Sequence, residues 1–309
     1  MSELLIKILE KINSEDNIYK ICTDLKISIN QFNYYLSILK NNYFYNFTRF
    51  GSRNGNIILK DSPKKAGILS NNNMTRILSI PNNQEKDYIR TVFISDLHIG
   101  STSGCTKEFL QQVYKYCNEN NIHLIFCNGD WIDGINEKGE QLYKDPRNQA
   151  EELINVIPFD NNICVIGVEG DHDYNLCNFN FNFESYIQRY RSDIIILGNN
   201  TAKVAMGKDY FEIFHKRPKI EEIKKLLCFS GHLHKFSMDR FTSSDSSVSF
   251  LNVGVPSAST IFNSIPSCLM VTFELNNGLI KNIYTKQLIS INSNLEPINE
   301  ITQIVRKRN

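Results

Sequence analysis

The stretch Thr91-Val-Phe-Ile-Ser-Asp-Leu-His98 decides the fold. It reads as a short apolar strand that ends abruptly in a carboxylate and an imidazole. The same design returns in IHLIFCNGDWID at 122–133, ICVIGVEGDHD at 163–173 and LLCFSGHLH at 226–234. Between the first three lie segments of helical spacing, TKEFLQQVYKYC at 106–117 and PRNQAEELINVI at 146–157. Such alternation predicts parallel strands whose C-terminal ends share one edge, the edge where α/β sheets carry sites. Beyond residue 194 the strand signals crowd together, in IIIL, KVAM, YFEIFH, VSFLNVG, CLMVTFEL and LIKNIYTKQL. A second sheet stacked on the first is the expected result.

Five of the six histidines, His98, His172, His215, His232 and His234, fall at or just after the end of a predicted strand. His123 alone does not. Asp96, Asp130, Asp133, Asp171 and Asp173 accompany them. Packing does not explain such a set, because clustered ionisable groups cost free energy unless cations or partners neutralise them. In an extended strand end, residues two apart point the same way, so D-x-H and H-x-H would each deliver two side chains to one locus. Glycines before Asp130, Asp171 and His232 let the backbone turn and leave room there.

The segments Asp96-Leu-His98, Gly129-Asp130-Trp-Ile-Asp133, Gly170-Asp171-His172-Asp173, the isolated His215 and Gly231-His232-Leu-His234 resemble, in order, the motifs of the calcineurin-like metallophosphoesterases. The resemblance spans about residues 91–290. It implies a four-layer α/β/β/α sandwich of two mixed sheets with a two-metal centre at the sheet edge. It assigns Asp96, His98 and His234 to one metal, Asp171, His215 and His232 to the other, and Asp130 to both. It makes His172 the general acid that protonates the leaving oxygen and Asp133 its orienting partner. Imidazole and carboxylate donors without thiolate suit Mn, Fe or Zn better than Ca or Mg, with Mn2+ the leading expectation. One position departs from the pattern: the family has asparagine where this chain has Asp171. That change keeps an oxygen donor but adds negative charge where an anionic phosphate must sit, so tighter binding of the second metal and weaker turnover are expected.

The remainder is consistent with a folded chain of 309 residues, 41% of them apolar, long enough for one large or two unequal domains. No apolar run reaches the roughly 18 residues of a spanning helix. The N-terminal stretch alternates charge with hydrophobe, unlike a signal peptide. The eight cysteines are scattered without a C-x-x-C pair, which reads as buried reduced thiols and a cytoplasmic location. Net charge is +1, yet residues 1–90 hold 13 Lys plus Arg against 8 Asp plus Glu.

Residues 1–62 carry three apolar stripes of helical spacing, then two strand-like runs around Gly51-Ser-Arg-Asn-Gly55. This order resembles a winged helix-turn-helix, with Ser28 as N-cap of the third helix and Asn30, Gln31, Tyr34, Lys40 and Arg53 as candidate contacts to DNA or RNA. A small packing or dimerisation module is the competing reading. Residues 63–88 are expected as a linker, 89–292 as the phosphoesterase domain and 293–309 as a C-terminal tail. The expected activity is hydrolysis of a phosphodiester, as in a nuclease-like enzyme. A phosphomonoesterase and a catalytically weakened DNA-binding or scaffold protein are the alternatives.

Overall fold

A computed structural model of the chain describes residues 3–13, 18–43, 46–49, 57–61, 77–80, 86–135, 140–176, 181–218, 227–242 and 249–305. Helices α1 (Glu3–Asn13), α2 (Ile18–Leu25) and α3 (Ile29–Tyr43) precede an antiparallel pair, β1 (Asn46–Arg49) and β2 (Ile57–Asp61). Then follow β3 (Ile77–Ile80), β4 (Lys86–Ile94), α4 (Lys107–Glu119), β5 (Leu124–Cys127), α5 (Pro146–Val156), β6 (Cys164–Glu169), α6 (Asp171–Tyr174), α7 (Phe183–Tyr190) and β7 (Ile194–Asn199). Strands β8 (Thr201–Met206), β9 (Asp209–Phe214), β10 (Leu227–Ser230), β11 (Ser237–Thr242), β12 (Ser249–Gly254), β13 (Ser267–Asn276), β14 (Leu279–Ile291) and β15 (Asn294–Ile304) complete the chain. No helix among the described residues is long and apolar enough to cross a membrane.

Two mixed sheets are built from these strands. One runs β15-β14-β13-β4-β5-β6-β7, with β4 to β7 parallel and β13 to β15 antiparallel; the other runs β11-β12-β10-β9-β8-β3. The two-residue period of each strand sorts its side chains between two cores. Val92, Ile94, Ile125, Cys127 and Val165 face α4, α5 and α7, whereas Phe93, Phe126 and Ile166 face the second sheet. There Phe93 stacks on Phe229 at 4.1 Å between ring centroids and on Phe126 at 5.0 Å. Each fully buried ring contributes roughly 2 kcal/mol through the area it removes from water. Helix starts are capped by side chains: Thr106 accepts from the Phe109 N–H, Asp145 from Arg147 and Asn182 from Ser185. In the aromatic stretch Phe179-Asn-Phe-Asn-Phe183, Phe181 and Phe183 are core residues and Phe179 lies outside the described residues; the seven described cysteines are buried and unbridged, Cys177 lying outside them.

The expected linker and tail both prove to contain strands. Ile77–Ile80 pairs in parallel with β8, and Asn294–Ile304 pairs antiparallel with β14. Neither could be read locally. A four-residue ILSI is too short to show a period, and β15 carries Pro297, a residue confined to edge strands and bulges. It occupies both: β15 is the sheet's edge, and the register slips beside Pro297, which faces Leu288 while Asn299 faces Gln287.

Arg191 closes the seven-stranded layer against its helices. Its guanidinium donates to the carbonyls of Ile154, Ile157 and Pro158 at 2.8, 2.7 and 2.9 Å and grips Asp193 with two bonds of 2.9 and 2.7 Å. Of these acceptors, Ile154 lies in the last turn of α5, Ile157 is its C-cap and Pro158 follows it, so Arg191 closes the C-terminal end of that helix. Replacement by Met would strand a buried carboxylate, so Arg191→Met is expected to lower unfolding free energy by about 3–5 kcal/mol in urea titrations. A loss under about 1 kcal/mol would show that the pair is not a structural anchor.

In the N-terminal region, Leu5, Ile8, Ile12, Ile18, Ile21, Phe32 and Leu39 bury together, as the three stripes predict. Ser28 accepts from the Gln31 N–H at 3.2 Å while the Gln31 carboxamide oxygen accepts from the Ser28 N–H at 2.8 Å. This is a reciprocal capping box, in which the Gln31 side-chain oxygen is turned back on its own helix end. Tyr34 is exposed on α3. The side chains of Asn30 and Lys40, and all of Arg53, lie outside the described residues.

Candidate metal centre

The turns that follow β4, β5, β6, β9 and β10 converge at one edge and are laced together by backbone bonds. Asp96 N–H donates to Gly129 O and His98 N–H to Asp130 O, each at 3.0 Å, and Gly231 N–H donates to Phe214 O at 3.2 Å. Asn128 adds a cross-link, its amide donating to Phe214 O at 3.0 Å and Phe229 O at 2.9 Å. Buried Asp173 accepts the N–H groups of Trp131, Ile132 and Gly170 at 3.2, 3.0 and 2.8 Å, so it positions two of the turns and is not a solvated carboxylate. Trp131 packs in the core, its indole N–H donating to Val168 O at 2.7 Å. Asn252, in β12, accepts from the Cys228 thiol at 3.4 Å.

The backbone delivers the side chains differently from the extended geometry expected. Asp96, His98, Asp130, His232 and His234 all take left-handed φ, between 46° and 65°. Each lies past the last residue of its strand, where the chain has begun to turn. Non-glycine residues adopt this region at a cost of order 1–3 kcal/mol each, and such strain concentrates at functional sites. Gly129, at φ 92°, would bring a Cβ within 2.7 Å of the His215 ring. At Gly170 a Cβ would collide with the Asp130 carboxylate.

Among the described residues three groups are gathered tightly enough to hold an ion: Asp96, His98 and His234; Asp130, Asp171, His215 and His232; and His98, Asp130 and His172, which takes one member from each of the other two. Asp130 joins them. Its Oδ2 lies 3.2 Å from His215 Nε2 and 3.7 Å from His98 Nε2, while Oδ1 accepts the His172 N–H at 3.1 Å. His215 donates from Nδ1 to the Asn128 carbonyl at 2.8 Å, which aims Nε2 at Asp171 Oδ1 at 2.8 Å. His123 is remote, bonded to Asn162.

Asp133 and His172 are both present, but their relation differs from the expected one. His172 Nδ1 donates to the Asp133 backbone carbonyl at 2.6 Å, not to its carboxylate. The carboxylate accepts from Gln141 Nε2 at 2.6 Å and lies 3.4 Å from His98 Nδ1. Asp133 therefore stands behind His98, in the position from which carboxylates orient histidine ligands. A sequence of one-dimensional spacings cannot separate a main-chain from a side-chain contact.

The electrostatics match a cation site. Burial pushes the Asp96 carboxyl up to about 6. Burial alone would depress His215, but hydrogen bonds to Asp130 and Asp171 carry it up to about 11. Burial and the neighbouring His98 hold His234 down at about 4. The His215 hydrogen bond, reinforced by Lys216, keeps Asp171 well below the usual carboxylate range. Nε2 of His98 and Nδ1 of His234 are buried without a hydrogen-bond partner, while His98 Nδ1 faces Asp133. Buried polar atoms left this way cost about 1–3 kcal/mol each. Imidazole nitrogens and carboxylate oxygens facing a shared centre are the donors a divalent transition metal takes, so the residues fit two such ions.

Lys216 is the contribution that sequence reading missed. Its ammonium lies 3.2 Å from Asp171 Oδ2 and supplies a positive charge beside the carboxylate that replaces asparagine. Its place directly after His215 was the available signal. Gln141 was missed too, and no local pattern marks it.

A family model described as Calcineurin-like phosphoesterase matches residues 89–253, more than half of the chain. The chain belongs to that family, and is a metal-dependent phosphoesterase. Among solved structures it is similar to Yfce, a phosphoesterase from E. coli, at 16% identity over 69% of this chain and 98% of that one, with a TM-score of 0.41. It is also similar to the calcineurin-like phosphoesterase YfkN from Bacillus subtilis, at 11% identity over 71% and 90% and a TM-score of 0.37. A third is GAP50, the anchor in the inner membrane complex of Plasmodium, at 13% identity over 72% and 90% and a TM-score of 0.38. No curated protein matches.

Proposed function

We propose that this chain is a dinuclear phosphodiesterase. The observation that carries the reading is the meeting of two ligand groups at one shared carboxylate, Asp130. In it Asp96, His98 and His234 would hold one ion, Asp171, His215 and His232 the other, and Asp130 would serve both, with Mn2+ ahead of Fe or Zn. Two divalent ions bound there supply Lewis acidity to phosphoryl oxygens and acidify water. The protein's own residues do the rest. Asp133 and Gln141 orient His98, and Asn128 fixes the tautomer of His215. His172, its Nδ1 proton committed to a carbonyl that can only accept, presents Nε2 to protonate the leaving oxygen.

Preference for diesters draws support from the N-terminal region, where α1 to α3 and the β1–β2 pair follow the element order of a winged helix and residues 1–90 are basic. We assign that region to nucleic-acid contact. After chelation and return of Mn2+, the protein should hydrolyse bis-p-nitrophenyl phosphate faster than p-nitrophenyl phosphate. Preference for the monoester would make it a phosphatase, and no hydrolysis with two ions bound would make it a scaffold.

Lys216 revises the charge argument for Asp171. Its positive charge offsets the added carboxylate, so turnover need not suffer as expected from sequence. Lys216→Met is expected to raise KM on the order of fivefold, and Asp171→Asn to weaken the second Mn2+ in calorimetry. Combined, they should restore KM to within about twofold of the parent, since the charge is then balanced again. Simple addition of the two effects on KM would disprove compensation.

A further inference from the structure

On the solvent side of His234 stands an aromatic ring that the core does not use. Phe262 is 84% exposed, in the short 3-10 turn Ile261–Asn263. Its ring meets that of His234 edge-on, 5.3 Å between centroids at 75°. A single exposed apolar side chain is ordinary. This one also takes φ 58° and ψ 31°, and Asn263 beside it takes φ 56°. A bulky aromatic residue in that region is a genuine outlier.

The turn is held in place. Ser264 Oγ lies 2.8 and 2.7 Å from the carbonyls of Ser259 and Ile261, which share its one hydroxyl proton. Thr260 donates to Ser103 O from both its N–H and its hydroxyl, at 2.9 and 3.1 Å. Ala258 N–H donates to Ser95 O at 2.9 Å, and Ser257 Oγ to Asp96 O at 3.2 Å. The ring is thus anchored to the segment that carries Asp96, and its distance from the centre is set by backbone. Leu233, between the two histidines, and Ile265, after the turn, are exposed as well.

We infer that Phe262 is the wall on which an aromatic ring of the substrate stacks, the substrate class being phosphodiesters that carry a nucleobase. The inference rests on the phosphodiesterase reading and adds the group recognised beyond the phosphate. A phosphate placed between the two ligand groups would have room to direct one ester substituent past His234, where the exposed Phe262 ring stands. Base–aromatic stacking tolerates any base because each has a π-face.

Thymidine 5′-p-nitrophenyl phosphate and methyl p-nitrophenyl phosphate share a leaving group and differ in the base. With the Mn2+-loaded full chain, KM is expected to be lower for the thymidine ester, and Phe262→Ala to erase on the order of tenfold of that selectivity. Phe262→Leu, of similar bulk but without a ring, should resemble Ala, whereas Phe262→Trp should keep the selectivity. In calorimetry, thymidine 5′-phosphate should bind more tightly than methyl phosphate, and Phe262→Ala should remove the difference while metal content stays at two ions. Loss confined to oligothymidylate would also support the wall and identify a polymeric substrate. Equal effects on both esters, or Leu behaving as Phe, would overturn it. If the parent protein hydrolysed neither ester, the phosphodiesterase reading would fail, and the calorimetric pair would still decide stacking: no preference for the thymidine phosphate would end the proposal.

Discussion

Asp130→Asn is expected to reduce kcat by about 10³-fold or more and to cut the metal content of the purified protein from two ions to one or none. Among the described residues, Asp130 is the carboxylate that reaches both groups, with Oδ2 between His215 Nε2 and His98 Nε2. Asparagine preserves the shape and one oxygen but not the charge that two cations would share. A second readout needs no metal. The His215 value lies near 11, far above its ordinary 6.5, and Asp130 is one of the partners that raise it. A histidine raised in the folded state contributes stability that is complete below its unfolded value and is lost as pH climbs through the folded one. The metal-free parent should therefore lose stability progressively from about pH 6.5 to 11. In Asp130→Asn that slope should flatten, as measured by urea midpoints at several pH values. An unchanged slope together with two bound ions would remove Asp130 from the centre of the scheme.

The second large effect is expected at His172, and it should depend on the leaving group. His172→Asn is predicted to lower kcat by about 10²–10⁴-fold for diesters with an alkoxide or nucleoside leaving group, and far less for p-nitrophenolate, which departs without a proton. Burial acts to lower the His172 value, but the Asp130 charge and the Asp133 carbonyl outweigh it, so the acid form persists above the ordinary range. In the metal-loaded enzyme, where cations share the Asp130 charge, activity on poor leaving groups should fall as pH rises through the His172 value, and this alkaline limb should vanish in the variant. A uniform loss across leaving groups would instead mark His172 as a group that binds the phosphate.

Much of the candidate centre was legible because each donor follows a strand directly, so order along the chain becomes order along a sheet edge. The nine residues Asp96, His98, Asp130, Asp133, Asp171, His172, His215, His232 and His234 meet in space. Ser28 could be recognised as a helix cap since the box it makes with Gln31 spans three residues. The pairing of Ile77–Ile80 with β8 could not, because its partner lies more than 120 residues away. The partners of Asp133 and Lys216 escaped because a carboxylate's neighbours across space leave no trace in the residues beside it.

What the amino-acid order determined by itself was local: the two-residue period that divides each strand between two cores, the identity of the donors and their sequence. What the tertiary structure decided was direction. Left-handed turns at Asp96, His98, Asp130, His232 and His234 aim side chains that an extended strand would have sent elsewhere. Those turns persist because bonds among five separate segments hold them, and only a folded chain brings the five together.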